Sequence, residues 1–147
     1  MKRNTLYYLL PALCLLLLAG CSKDKPFGPN TVHLGGKLSG QQEVPTRATE
    51  ANGEMFLTLD LDSRVLSYEI TYDGLSPVAG HFHRAPAGVN GNVEITFTSL
   101  KSPIRGQVTL EPVQVEGFQT GQYYANLHTT KFPGGEIRGQ VQYISRE

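Results

Sequence analysis

At 147 residues the chain has room for one domain, and its 13 basic residues match 13 acidic ones for a formal charge of zero at pH 7. That balance, with no basic run, argues against nucleic acid as a partner. Two cysteines leave little material for thiol chemistry, and with only four histidines the placement of each one is informative.

Residues 1–21, MKRNTLYYLLPALCLLLLAGC, begin with Lys2 and Arg3 and continue into an apolar run from Leu9 to Ala19. The run falls short of the ~18–20 apolar residues of a spanning helix and Pro11 interrupts it, so residues 1–20 read as a signal peptide. Leu18-Ala19-Gly20-Cys21 resembles a bacterial lipobox, which implies cleavage before Cys21 and acylation of its sulfur. Ser22 in the next position resembles outer-membrane sorting. Cleavage would remove Cys14 together with Lys2 and Arg3, leaving no disulfide and 11 basic against 13 acidic residues. Several acyl chains on one cysteine give stable anchoring, so the expected location is the cell envelope, with the lipid on Cys21 as the link to a membrane. Residues 21–30, CSKDKPFGPN, read as the lipidated cysteine and a flexible tether, and residues 31–147 as the folded domain.

The domain reads as strands in chain order. In GEMFLTLDL, Met55, Leu57, Leu59 and Leu61 share one face against Glu54, Thr58 and Asp60. VLSYEITYDG repeats the pattern with Leu66, Tyr68, Ile70 and Tyr72, and the turn-rich DLDSR between them predicts a hairpin. NVEITFTSL alternates through Val93, Ile95 and Phe97, and IRGQVTL through Ile104, Val108 and Leu110. No stretch keeps an i, i+3, i+4 apolar pattern, and Gly and Pro interrupt every candidate helix. The expectation is an all-β, antiparallel, Greek-key-like sandwich or barrel of about seven to nine strands. IRGQV occurs at 104–108 and again at 137–141. Two strands with the same inner-face demands, each with a glycine where backbones approach, explain the echo without a solenoid, which would need further copies.

LSGQQEVP at 38–45, YDGLSPVAGHFHRAPAGVNG at 72–91 and GQYYANLHTTKFPGGEIRGQV at 121–141 together resemble the CHRD domain, over roughly residues 32 to 143. That family takes its name from chordin, an extracellular protein that binds growth factors, and its members also occur alone as bacterial secreted proteins. The resemblance implies an extracytoplasmic binding module with a protein or glycan partner, and names no reaction.

The strand period then places the histidines. In VAGHFHRA, Val78 and Phe82 point one way and Ala79, His81 and His83 the other; in QYYANLHTT, Tyr124, Asn126 and His128 lie opposite Tyr123, Ala125 and Leu127. With Phe82 and Leu127 in the core, His81, His83 and His128 share the outer side. Residues i and i+2 on a strand lie ~6–7 Å apart, close enough for two imidazoles to meet on one ion, and imidazole suits copper or zinc. HFH also resembles the His-Val-His of copper/zinc superoxide dismutases. The chain lacks that family's further histidine run with an aspartate and its disulfide, so a single copper or zinc ion is the most the likeness implies. His33 stands apart near the start of the first strand. Glu43, Asn126, Glu136 and Arg138 are the candidates to orient the histidines from behind. The same residues also admit a structural polar network or a partner-contact surface, with Glu136 and Arg138 as a solvated pair. APAGVNGN at 85–92 should border the face, and FPGG at 132–135 reads as a turn.

No serine in a nucleophile elbow and no free thiol can be paired with a base, so the residues point to binding rather than catalysis. The expected function is a lipid-anchored CHRD binding module with a histidine metal site on an outer sheet face; the alternative is a copper- or zinc-binding protein with dismutase-like redox activity.

Overall fold

A computed structural model describes residues 30–147. The expected signal peptide, the expected acylation site Cys21 and all of the expected tether but Asn30 lie outside the described residues.

The chain opens with a three-stranded meander. β1 (Thr31–Ser39) pairs antiparallel with β2 (Asn52–Asp60) along its whole length, and β2 turns back into β3 (Val65–Asp73), as the alternating sequence predicts. The Asp60 carboxylate accepts the amides of Asp62 and Ser63, and Arg64 takes a positive φ of 59°, which together close the turn. Met55, Leu57, Leu59, Leu66 and Ile70 are buried.

The remaining strands are β4 (Ala79–Arg84), β5 (Asn92–Thr96), β6 (Ile104–Thr109), β7 (Tyr123–His128), β8 (Ile137–Gln140) and β9 (Gln142–Arg146). The sheet order is β5-β4-β7-β8-β1-β2-β3-β6, with β9 paired to β1 alongside that path. This is the expected all-β, antiparallel architecture, here a nine-stranded sheet curled into a half-barrel. Four strands separate β4 from β3, which in a flat sheet would hold them about 24 Å apart. The Tyr68 and Phe82 rings nevertheless meet edge to face at 5.4 Å, so the sheet has rolled over its own apolar side. Phe97 and Phe118 complete the cluster, at 5.0 and 5.4 Å from Phe82.

Two features depart from the sequence reading. A helix, α1 (Pro112–Gln119), forms where none was expected. Glu111 and Gln114 close a reciprocal capping box and Pro112 sits in the first turn, both strong local start signals. The helix buries only Gly117 and Phe118, too few for a repeating apolar stripe. Its anchor is Phe118, stacked on Tyr123 at 4.0 Å. The second departure is in β5, which ends at Thr96 and carries a register shift opposite Phe82/His83. Ile95 pairs with inward Phe82, whereas Val93 pairs with outward His83 and is half exposed. One extra residue in a ladder re-aims the side chains beyond it, and the simple alternation Val93, Ile95, Phe97 misses that.

The repeated IRGQV serves as two strands of the one sheet. Ile104 and Ile137 are both fully buried. A Cβ on Gly139 would lie 2.6 Å from the Lys37 carbonyl oxygen, so the glycine there does mark a close backbone approach.

Phe118→Ala should lower the unfolding free energy by about 3–5 kcal/mol, the usual cost of emptying a buried aromatic site. Val113→Ala, on the exposed side of the same helix, should change it by less than about 0.5 kcal/mol. Urea denaturation of the two variants checks both values.

Candidate metal centre

The pleat of β4 and β7 builds the site. Phe82 and Leu127 are fully buried in the core, which turns their neighbours to the other side of the sheet. Across the ladder His81 faces Asn126, His83 faces Tyr124 and Ala79 faces His128; on the far side of β7, Asn126 faces Arg138 and Tyr124 faces Gln140. His81 and His128 are thus diagonal neighbours. One ring nitrogen from each of His81, His83 and His128 lies within 4.8 Å of the others. His81 Nδ1 and His128 Nε2 are 3.2 Å apart.

This outer side is not an open surface. Tyr124, Asn126, Arg138 and Glu43 are buried, and His83 is 8% exposed; His81 and His128 remain partly exposed. Three segments roof it. The loop after β4 reaches in with Gly91, whose carbonyl meets His83 Nδ1 at 3.0 Å and whose amide donates to the Tyr124 hydroxyl. Arg138 donates to the Val89 carbonyl and to Asn90 Oδ1, pinning the same loop. The turn after β7 supplies the Pro133 carbonyl, 3.0 Å from His128 Nδ1. The segment after β1 brings in Glu43, which accepts from Asn126 Nδ2 at 2.7 Å and lies 3.5 Å from Arg138 Nε.

The expected supporting residues therefore take other partners than histidine. Glu136 accepts from Thr49 and Thr129 and tightens the turn that carries Pro133. Arg138 pairs with Glu43, and neither it nor Glu136 is solvated, because the roof segments exclude water from both. Asn126 binds Glu43. The groups that orient the rings are two backbone carbonyls, which no side-chain pattern encodes. The loop 85–92 does border the site, as its position after HFH predicts. Tyr124 is an addition: its ring stacks on His83 at 4.9 Å and 1°, and the Arg138 guanidinium lies 3.9 Å from its centroid. His33 lies elsewhere, on β1, 3.7 Å from Glu147.

Tautomers follow from these partners. A carbonyl only accepts, so Nδ1 of His83 and of His128 each carries the proton, and in the neutral ring each Nε2 keeps a lone pair. The lone pair of His128 meets His81. That of His83 is buried with no hydrogen-bond partner. Burial holds the pKa of all three rings below the ordinary 6.5, reinforced by mutual repulsion for His81 and by the Arg138 charge for His83 and His128, although the Gly91 and Pro133 carbonyls pull the other way. Burial raises Glu43 above its ordinary value despite Arg138 and Arg47.

The CHRD domain family model matches residues 34–141. No curated protein and no solved structure matches the chain.

The lowered histidine values set the sign of a pH dependence. The folded state binds fewer protons than the unfolded chain, so metal-free stability falls as pH drops from about 6.5 toward the folded pKa values. Glu43, whose value is raised, acts in the opposite direction. A variant with His81, His83 and His128 all changed to Gln should lose the histidine slope and keep the Glu43 contribution, as thermal unfolding across pH 5 to 7 (about the histidine range) will read.

Proposed function

The chain belongs to the CHRD domain family, and on that premise we propose that it is an extracytoplasmic binding module that holds a copper or zinc ion on His81, His83 and His128. The observation that carries this reading is the buried, partnerless Nε2 of His83, on a ring that brings one nitrogen within 4.8 Å of a ring nitrogen of His81 and of His128. Native proteins leave few buried polar atoms without a partner, and an ion is one way to satisfy this one.

One pair of ring nitrogens has the spacing of a tetrahedral centre, and the third, within 4.8 Å, would close in on them to share the ion. With metal–nitrogen bonds of about 2.0–2.1 Å, two ligands of a tetrahedral centre sit about 3.3 Å apart, against about 2.9 Å for adjacent ligands in a square plane. His81 Nδ1 and His128 Nε2 stand at 3.2 Å. The backbone carbonyls on the far nitrogens of His83 and His128 are partners of the kind that metal-bound histidines use, fixing both tautomer and ring direction. Without metal, the His81 proton bridges to His128. With metal it moves to the other nitrogen of the same ring, so loading requires no change of charge on the protein. The depressed pKa values keep the three rings neutral at pH 7 and ready to bind.

A lipid on Cys21 would hold the module at a membrane of the cell envelope, the outer membrane being the compartment that Ser22 favours, where an extracellular protein or glycan is its macromolecular partner. Cys21→Ser should shift the protein from the membrane to the soluble fraction, and mass spectrometry of the wild type should find acyl chains on the N-terminal cysteine; an unmodified, soluble wild type would remove the anchor.

For the ion itself, calorimetric titration of the full chain in detergent should give one zinc or copper per molecule. Changing His83 or His128 to Ala should weaken binding by more than about 100-fold, beyond the 10–100-fold typical of losing an outer-shell partner. No site tighter than micromolar in the wild type would overturn the metal reading.

A further inference from the structure

Three imidazoles bring no charge to a divalent ion. Among the described residues the ligand cluster contains neither carboxylate nor thiolate. The nearby acids are committed elsewhere: Glu43 to Asn126 and Arg138, Glu136 to Thr49 and Thr129. Arg138 adds positive potential, lying against the Tyr124 ring on which His83 stacks. An ion in this cluster would keep its full positive charge in a setting partly withdrawn from water, where charge is poorly screened. Three protein donors also leave a tetrahedral ion one open position, and His81 and His128, the partly exposed members, put solvent within reach of it.

We propose that the fourth position of the triad is taken by a small monovalent anion from solution, which makes the loaded centre an anion-binding site; this rests on the metal reading above. The anion supplies the negative charge that the donor set omits. A carboxylate placed beside the ion would supply the same charge internally and weaken the site for external anions.

Thr96 offers that position. It pairs with His81 across the β4–β5 ladder, so it shares the outer side, and it is exposed, which makes substitution there tolerable to the fold. The full chain is loaded with cobalt(II), whose visible spectrum reports its coordination, and azide is the added probe. The wild-type spectrum should change saturably with azide. Thr96→Asp should bind azide about tenfold more weakly through its added charge, while Thr96→Asn should match the wild type. A cobalt spectrum indifferent to azide would overturn this inference and leave the metal site standing. Equal azide affinity in the Asp and Asn variants would overturn the charge argument. Failure to bind cobalt(II) and zinc alike in stoichiometric amount would overturn both readings.

Discussion

Everything on the outer side of β4 and β7 depends on where one phenylalanine ring is held. Phe82 is fully buried and meets Tyr68, Phe97 and Phe118 edge to face, with no room to rotate its strand. Side chains alternate along a strand, so fixing Phe82 inward fixes His81 and His83 outward. Leu127 does the same for Asn126 and His128 on the neighbouring strand. A one-residue slip of β4 against β7 would bury two imidazoles in hydrocarbon and expose the phenylalanine. Burying imidazoles without partners costs kilocalories, as does losing the aromatic core. The register is therefore specified by the core, and the histidine cluster inherits its precision from packing that it does not touch.

The second layer is polar and nearly as buried. Glu43, Asn126, Glu136, Arg138 and His83 are all buried. A buried ion pair such as Glu43–Arg138 is weak evidence for stability, since desolvation offsets much of the attraction. Its value here is positional. The Arg138 guanidinium holds the Val89 carbonyl and the Asn90 side chain, the Asn90 amide reaches the Val44 carbonyl, and Glu43 ties the post-β1 segment to Asn126. Two segments distant in sequence are thereby locked over two strands. Gly135, with φ of 118°, belongs to this packing, because a Cβ there would stand 2.5 Å from both Asn126 Nδ2 and Glu43 Oε1.

What could be read from residues alone divides along physical lines. Strand alternation is a local, period-two signal, and it placed Met55 through Leu59, Leu66 through Ile70 and the three histidines on their correct sides. The bulge opposite Phe82/His83 depends on how two strands pair, so nothing within β5 announces it. The capping box of Glu111 and Gln114 was present in the sequence, but two buried residues in eight gave the helix no apolar stripe to be noticed by. The partners that the sequence offers the histidines, Glu43, Asn126, Glu136 and Arg138, are all side chains, because side chains are what a sequence displays. The groups that orient the rings are the carbonyls of Gly91 and Pro133, and their positions come from loops folded by glycine, proline and the Arg138 network.

The same distinction bears on why such a layer exists. Three of the buried polar atoms without a hydrogen-bond partner, His83 Nε2, Asn126 Oδ1 and Arg138 Nε, belong to this one face. Apolar side chains of similar volume would satisfy burial at lower cost, and replacing buried charges in that way is often neutral or stabilising. A sheet that needed only to be covered would have no use for three imidazoles with ring nitrogens within 4.8 Å of one another. The arrangement spends stability on leaving one imidazole nitrogen of His83 unsatisfied, a cost that the proposed ion would recover. Because the carbonyls that hold the rings belong to the main chain, the donor set stays neutral, and the charge of the proposed ion would be balanced from outside the protein.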